Sequence, residues 1–237
     1  MKNMKLWLLM ILLAVPLLMA TAEAAPQGLN TTSNTTVSGP TIPDYTRQDA
    51  GGTITTLLVN QSQQTEAWKG YVGNVTGKVA LRDSSGYTIY DWNFASIAGE
   101  IYASRTNSIT WTAVNCTNHT TITSEYSAVN MADSDVDSIN KTFNATKHAS
   151  ITVGSLTVEN DTCASTATYN GTAQNVNSTA RFQEVLLKDT GSNMIYTTIL
   201  EQDKIGYNTF TYDFQLIVPD SDAAATDTTY YFFAELT

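Results

Sequence analysis

From Thr53 to the end, the chain repeats one pattern: short runs rich in Val, Ile, Thr, Tyr and Phe, parted by clusters of Gly, Asn, Asp and Ser. Runs of that length between turn-forming residues have the spacing of an all-β fold. Ten segments fit the pattern: 54–60, 75–82, 87–94, 99–104, 109–114, 150–159, 181–188, 194–201, 209–218 and 228–236. Alternation is clearest late in the chain. There Phe210, Tyr212, Phe214, Leu216 and Val218 share one face of a strand, while Thr211, Asp213 and Gln215 share the other. Such strands, with little helix between them, are most simply housed in an antiparallel β-sandwich of about eight to ten strands.

One short helical insertion is expected. Asp133 or Ser134 can cap a helix in which Val136, Ile139 and Phe143 turn inward while Asp135, Asp137 and Lys141 face water. The strand region also contains an internal echo. Residues 79–90 align without a gap on residues 185–196, keeping Val, Leu, a basic residue, Asp, Ile and Tyr in register. Both segments read as hairpins, because Asp83-Ser84-Ser85-Gly86 and Asp189-Thr190-Gly191-Ser192 supply residues that close turns on their own backbone or take positive φ.

Residues 1–24 read as a secretory signal peptide: Lys2 and Lys5, an apolar stretch from Leu6 to Met19, then the small-x-small site Ala22-Glu23-Ala24 before Ala25. The apolar stretch is shorter than the roughly 20 residues that cross a bilayer, so no membrane span is expected in the mature form. Residues 25–52 are rich in Asn, Thr and Pro and poor in core-forming side chains, which suits an extended glycosylated segment. Residues 53–237 then form a single β-sandwich domain.

The acceptor pattern for N-glycosylation, Asn-x-Ser/Thr, occurs at Asn30, Asn34, Asn60, Asn74, Asn115, Asn118, Asn140, Asn144, Asn160, Asn170 and Asn177, which is 11 of the 18 asparagines. With Ser and Thr near a quarter of the chain, random placement gives on the order of four or five. The excess points to a secreted glycoprotein, outside the cell or on its surface, with these asparagines in turns or on outward faces. Cys116 and Cys163 are the only cysteines, and in an oxidising compartment they are expected to pair.

A net charge of −10 argues against nucleic acid, whose phosphates need Lys and Arg. Asp133, Asp135 and Asp137 alternate as in a calcium loop, yet Ser138 stands where that loop needs Gly and Asn144 where it needs Glu. They are read instead as the acidic start of a helix, with Asp220, Asp222 and Asp227 as a loop, so no metal and no cofactor are expected. His119 and His148 offer few bases for catalysis, and no spacing selects a pair among Glu100, Glu125, Glu184 and Glu201. The chain is therefore read as non-enzymatic. Trp68, Tyr71, Trp92 and Trp111 are either core residues or rings that stack on sugars, and the glycine-rich residues 68–77 allow close approach of another surface.

Together, the signal sequence, the dense Asn-x-Ser/Thr triplets, residues 68–77, the hairpin at 79–92 and the closing Tyr- and Phe-rich strand at 230–236 resemble secreted, heavily N-glycosylated archaeal surface proteins. The resemblance implies an envelope or extracellular-filament setting and brings no catalytic residue with it. Two functions are expected from the sequence. One is a structural protein of the cell surface or of an extracellular filament, whose subunits associate with themselves or with other envelope proteins through β-strand contacts. The other is a glycan- or surface-binding adhesin module. For the first, residues 25–49 are the expected donor of a strand to the closing strand of a neighbour, with docking at residues 37–45, the stretch clear of Asn30 and Asn34.

Overall fold

The computed structural model describes residues 25–221 and 227–237. The expected signal sequence at 1–24 and Asp222 lie outside them. The fold is mostly antiparallel β and sandwich-like. Its elements in chain order are β1 (Gln27–Gly28), β2 (Trp68–Gly73), β3 (Lys78–Arg82), β4 (Thr88–Asn93), β5 (Gly99–Ser104), β6 (Asn115–Cys116), α1 (His119–Val129), α2 (Ile139–Thr142), β7 (Ile151–Val153), β8 (Leu156–Val158), β9 (Ser165–Ala167), β10 (Gln183–Lys188), β11 (Met194–Ile199), β12 (Lys204–Ile205), β13 (Thr211–Tyr212), β14 (Phe214–Pro219) and β15 (Tyr231–Leu236).

A seven-stranded sheet forms the centre. Its order is β1-β15-β5-β11-β10-β6, and β9 shares the outer edge of β10 with β6. Strands β5, β10 and β11 carry apolar residues on both faces, so they read as near-continuous apolar runs rather than strict alternation. On one face, Ile101, Ala103, Leu186, Met194 and Tyr196 pack under Leu216 and Val218 of β14, Trp68 and Tyr71 of β2, and Ile122, Tyr126, Ile139 and Phe143 of the helices. On the other face, Tyr102, Val185, Leu187 and Ile195 pack under Ile151, Val153 and Val158 of the β7–β8 hairpin and under Trp111. Burying a side chain of this size removes about 1.5–3 kcal/mol of unfavourable exposure, so these two clusters hold the sheet from both sides.

Several expectations are corrected. Residues 54–60 form no strand: Ile54, Leu57, Leu58 and Val59 are exposed, and among the described residues no strand edge pairs with them. Residues 109–114 hold a 3-10 turn (Trp111–Ala113) in place of a strand, and pairing starts only at β6. The helix expected after Asp133 is the four-residue α2. Ile139 and Phe143 are buried as read, but Val136 is 89% exposed. The longer α1 precedes it. Its N-terminus is capped by Asn118, whose Oδ1 accepts from the Thr121 N–H at 3.0 Å, and Asn130 ends it in the left-handed conformation.

The alternation from Phe210 to Val218 survives only from Phe214 onward. Leu216 and Val218 are buried, yet Gln215 and Asp213 are buried as well, and Phe210 is exposed. The chain bends at Asp213, whose Oδ1 accepts from the Asp203 N–H and Oδ2 from the Val75 N–H, so this carboxylate joins three segments instead of facing water.

Candidate functional site

Strand β15 is the last full strand of the central sheet, and among the described residues its outer edge pairs with the two-residue β1. Gln27 pairs with Ala234 and Gly28 with Phe233, and the Leu29 N–H donates to the Phe232 carbonyl at 3.1 Å. Pro26 is buried beside them. This is where the expected docking of the N-terminal segment falls, with two differences: the donor is residues 27–29, and it belongs to the same chain. Residues 37–45 are exposed and form no strand. From residue 30 to residue 67 there is no helix or strand, and every residue from 29 to 66 is exposed.

The inner edge of β15 pairs along its length with β5, setting Phe232 against Ala103, Phe233 against Tyr102 and Glu235 against Glu100. Glu235 is buried on the face covered by β7–β8, and both its carboxylate oxygens accept from the Gly154 N–H at the hairpin turn, at 3.0 and 2.9 Å. The Tyr102 hydroxyl lies 3.3 Å from the Thr152 carbonyl and 3.4 Å from Glu235. Burial pushes the Tyr102 phenol far up, and the nearby charges of Glu100 and Glu235 push it further, so it stays protonated and donates.

The remaining candidates scatter. Cys116 and Cys163 are joined, with Cα atoms 5.0 Å apart. The bond ties β6, which pairs with Leu187 of β10, to the segment before β9. The buried His148 organises that segment: Nε2 accepts from the N–H groups of Thr162 and Cys163 at 3.1 and 2.9 Å, leaving Nδ1–H to donate to the Ala149 carbonyl. Of the glycosylation asparagines, Asn30, Asn34, Asn60, Asn74, Asn115, Asn118, Asn144, Asn160 and Asn177 are exposed, and Asn140 and Asn170 are half-buried. In Asn170 and Asn177 the Oδ1 accepts from the Thr hydroxyl two residues on, which turns the amide nitrogen outward from the loop.

Asp133, Asp135 and Asp137 serve different partners: Tyr126 and Asn140, the Ala132 N–H, and Thr65. The hydrogen bonds from Asn140 and Tyr126 hold the Asp133 carboxyl below the usual range. His119, Tyr126 and Asp133 line an open cavity of about 530 Å³ beside α1. Asp220 pairs with Lys69 at 3.0 Å and accepts from the N–H groups of Ser221 and Thr228, while Asp227 is exposed.

The four glutamates weighed for hydrolysis do not converge either. Glu125 takes a two-pronged ion pair from Arg105, at 2.9 and 2.8 Å, that fastens α1 to the end of β5. Glu184 is fully buried against the Ile217 N–H, and burial drives its carboxyl well above the ordinary value. Glu100 belongs to the β15 cluster, and Glu201 is half-buried by the β12–β13 hairpin.

Among the four aromatics, Trp68, Tyr71 and Trp111 pack against the core. Trp92 is exposed on β4, its ring 4.8 Å from that of Tyr90, with Val79 and Leu81 of β3 opposite them. Comparison with known proteins finds no family model that matches the chain and no curated protein or solved structure that is similar to it.

Proposed function

We propose that this chain is a non-enzymatic structural protein of the cell surface or of an extracellular filament, secreted and N-glycosylated, whose subunits associate through β-strand contacts. One observation carries the reading. The segment that covers the β15 edge, residues 25–29, is joined to the body only through residues 30–67, which hold no helix or strand. At about 3.3 Å per residue that connection spans roughly 120 Å when stretched, which exceeds the width of a domain this size. The same two-residue pairing can therefore be made by a neighbour's segment, with no new interface needed. Exchange of an identical element between copies is a low-cost route to association, and a head-to-tail exchange repeats into a fibre.

Two further features fit this reading. Residues 54–59 are strand-forming and apolar but exposed, which suits a segment that finds its partner in an assembly. The hairpin β3–β4 also turns Val79, Leu81, Tyr90 and Trp92 to water on one face. The likeness to secreted, glycosylated archaeal surface proteins stands in the same direction.

The adhesin reading keeps one specific support, the exposed Tyr90–Trp92 pair, since neighbouring rings in water form a platform for sugar faces. The two readings separate by electron microscopy of the mature protein. A structural protein forms high-molecular-weight assemblies by itself, and removing residues 25–49 leaves a folded monomer that no longer does so. Native-like filaments from the truncated chain, or none from the intact one, contradict the proposal. Monomers that bind a carbohydrate array favour the adhesin.

A further inference from the structure

We infer that Glu184 is a proton-dependent latch between two layers of the fold: with its side chain neutral the β2–β14 ladder stays docked on the central sheet, and with the side chain ionised the ladder lifts away. The inference does not depend on polymerisation or on glycosylation.

The latch joins the backbone of one layer to a side chain of the other. β14 and β2 pair as a ladder of their own, outside the seven-stranded sheet. The Ile217 N–H of β14 donates to Glu184 Oε1 of β10 at 2.9 Å, and Leu216 and Val218 on either side of it are fully buried. Glu184 is itself 0% exposed. Its second oxygen, Oε2, has no hydrogen-bond partner among the described residues, and neither has the hydroxyl of Thr198, which stands directly opposite on β11. A neutral carboxyl tolerates such surroundings far better than a carboxylate, because an unpaired charge taken out of water costs far more than an unpaired dipole.

The charged groups on the elements packed around Glu184 have other partners. Lys69 of β2 pairs with Asp220, Arg105 beyond β5 pairs with Glu125 of α1, and Asp213 accepts from the N–H groups of Val75 and Asp203. Arg181 and Lys204 attend Glu201, and Lys188 stands at the far end of β10. On β9 the residue opposite Glu184 is Thr166, which does not titrate. Burial pushes the phenols of Tyr71 on β2 and Tyr196 on β11 upward, so both stay neutral. Burial likewise raises the Glu184 carboxyl well above its ordinary value, and the Ile217 hydrogen bond pulls the other way without offsetting it. A carboxyl raised by docking binds its proton more tightly in the docked state. The latch is therefore fully closed below the ordinary carboxylate range, near 4, and weakens as pH rises from there toward the folded value. β2 leads to residues 30–67 on one side and to β3–β4 on the other, so opening loosens the hold of the core on both of these regions together.

Hydrogen exchange of the mature protein with its disulfide intact tests the latch, comparing Ile217 with Leu187 in the wild type and in Glu184→Gln, with the intrinsic chemical rate divided out. Between about pH 5 and 8, the wild-type opening that exposes the Ile217 N–H should grow on the order of tenfold per pH unit, the mark of one proton released on opening. Ile217 should also exchange faster than Leu187, which belongs to the sheet that stays closed. In Glu184→Gln, which has no proton to release, the slope at Ile217 should fall to near zero. A wild-type opening that is flat with pH, an equal slope in the Gln variant, or Ile217 exchange as slow as that of Leu187 overturns the inference. Glu184→Met also lacks the proton and supplies the comparison if the Gln variant does not fold.

Discussion

Hairpins β3–β4 and β10–β11 share a sequence pattern and a turn, yet they meet opposite surroundings. In each, the first Asp of the turn accepts through Oδ1 from the N–H four residues on, Tyr87 or Asn193. Its carbonyl accepts from the N–H three residues on, Gly86 or Ser192, and that residue takes positive φ in both hairpins. The strands diverge completely in burial. Ile89 is 80% exposed where Ile195 is 0%, and Tyr90 is 60% exposed where Tyr196 is 0%. Local sequence is thus enough to close a hairpin, while the neighbours decide whether its apolar side chains become core. β10–β11 is flanked by β5, β6 and β9 and covered on both faces, whereas among the described residues β3 and β4 pair only with each other. The exposed copy keeps a core-like sequence without a core, which is what a surface reserved for another copy would carry.

The contrast can be broken in a graded way. The largest effect should come from the disulfide that closes the buried hairpin's outer edge: it spans 47 residues, and its removal by Cys116→Ala with Cys163→Ala is expected to cost about 4 kcal/mol in urea unfolding. Next, Leu187→Ala is expected to cost about 3 kcal/mol, because it opens a cavity in a fully buried site. Its counterpart Leu81→Ala, at an exposed site, should change the monomer by less than about 0.5 kcal/mol. Equal losses at the two positions would mean that the β3–β4 face is covered after all.

The turn acids give a smaller difference. Asp189→Ala is expected to cost about 2 kcal/mol, since it removes a buried carboxylate that accepts from the Thr110 N–H and from the backbone and side chain of Asn193, while Asp83→Ala in the exposed turn costs about 0.5 kcal/mol. Burial alone would raise the Asp189 carboxyl, but the hydrogen bonds from Asn193, Thr110 and Gly191 outweigh it and hold the group below the usual range. A carboxyl lowered by folding adds stability above the ordinary carboxylate range, near 4, and loses it as pH falls through the folded value. Chemical denaturation across that interval should therefore show a shallower acid loss for Asp189→Asn than for the wild type.

The smallest effect is a gain. Ser192 holds the positive φ that Gly86 holds in the exposed turn, so Ser192→Gly should stabilise the protein by about 1 kcal/mol, read as a rise in the urea midpoint. A fall instead would show that the Ser192 side chain does something the turn comparison lacks.

Much of this architecture is legible residue by residue. The strand at 99–104, both hairpins and the pairing of Cys116 with Cys163 follow from local composition and turn chemistry, because each is decided by neighbours in the chain or by the cysteine inventory. Helix α1 is hidden by Thr120, Thr121 and Thr123, whose branched side chains mimic a strand run. The usable signal was Asn118 as a cap, followed by Ile122, Tyr126 and Val129 on one helical face. Residues 54–60 failed in the opposite way. They carry the propensity of a strand, but a strand exists only where another offers its edge. The docking at β15 is decided by register rather than by composition, so the aromatic closing strand marked the acceptor while Gln27 and Gly28 carried no visible mark as its partners.

Exchange of residues 25–29 between copies is what would separate an assembling subunit from a closed monomer. Gln27→Cys combined with Ala234→Cys places two thiols at directly paired positions. Oxidised assemblies run on a non-reducing denaturing gel should give a covalent ladder at multiples of the subunit mass, collapsing to one band on reduction. A single monomer band before reduction, from material that electron microscopy shows to be polymerised, would mean that each segment stays on its own sheet and that subunits join by some other surface.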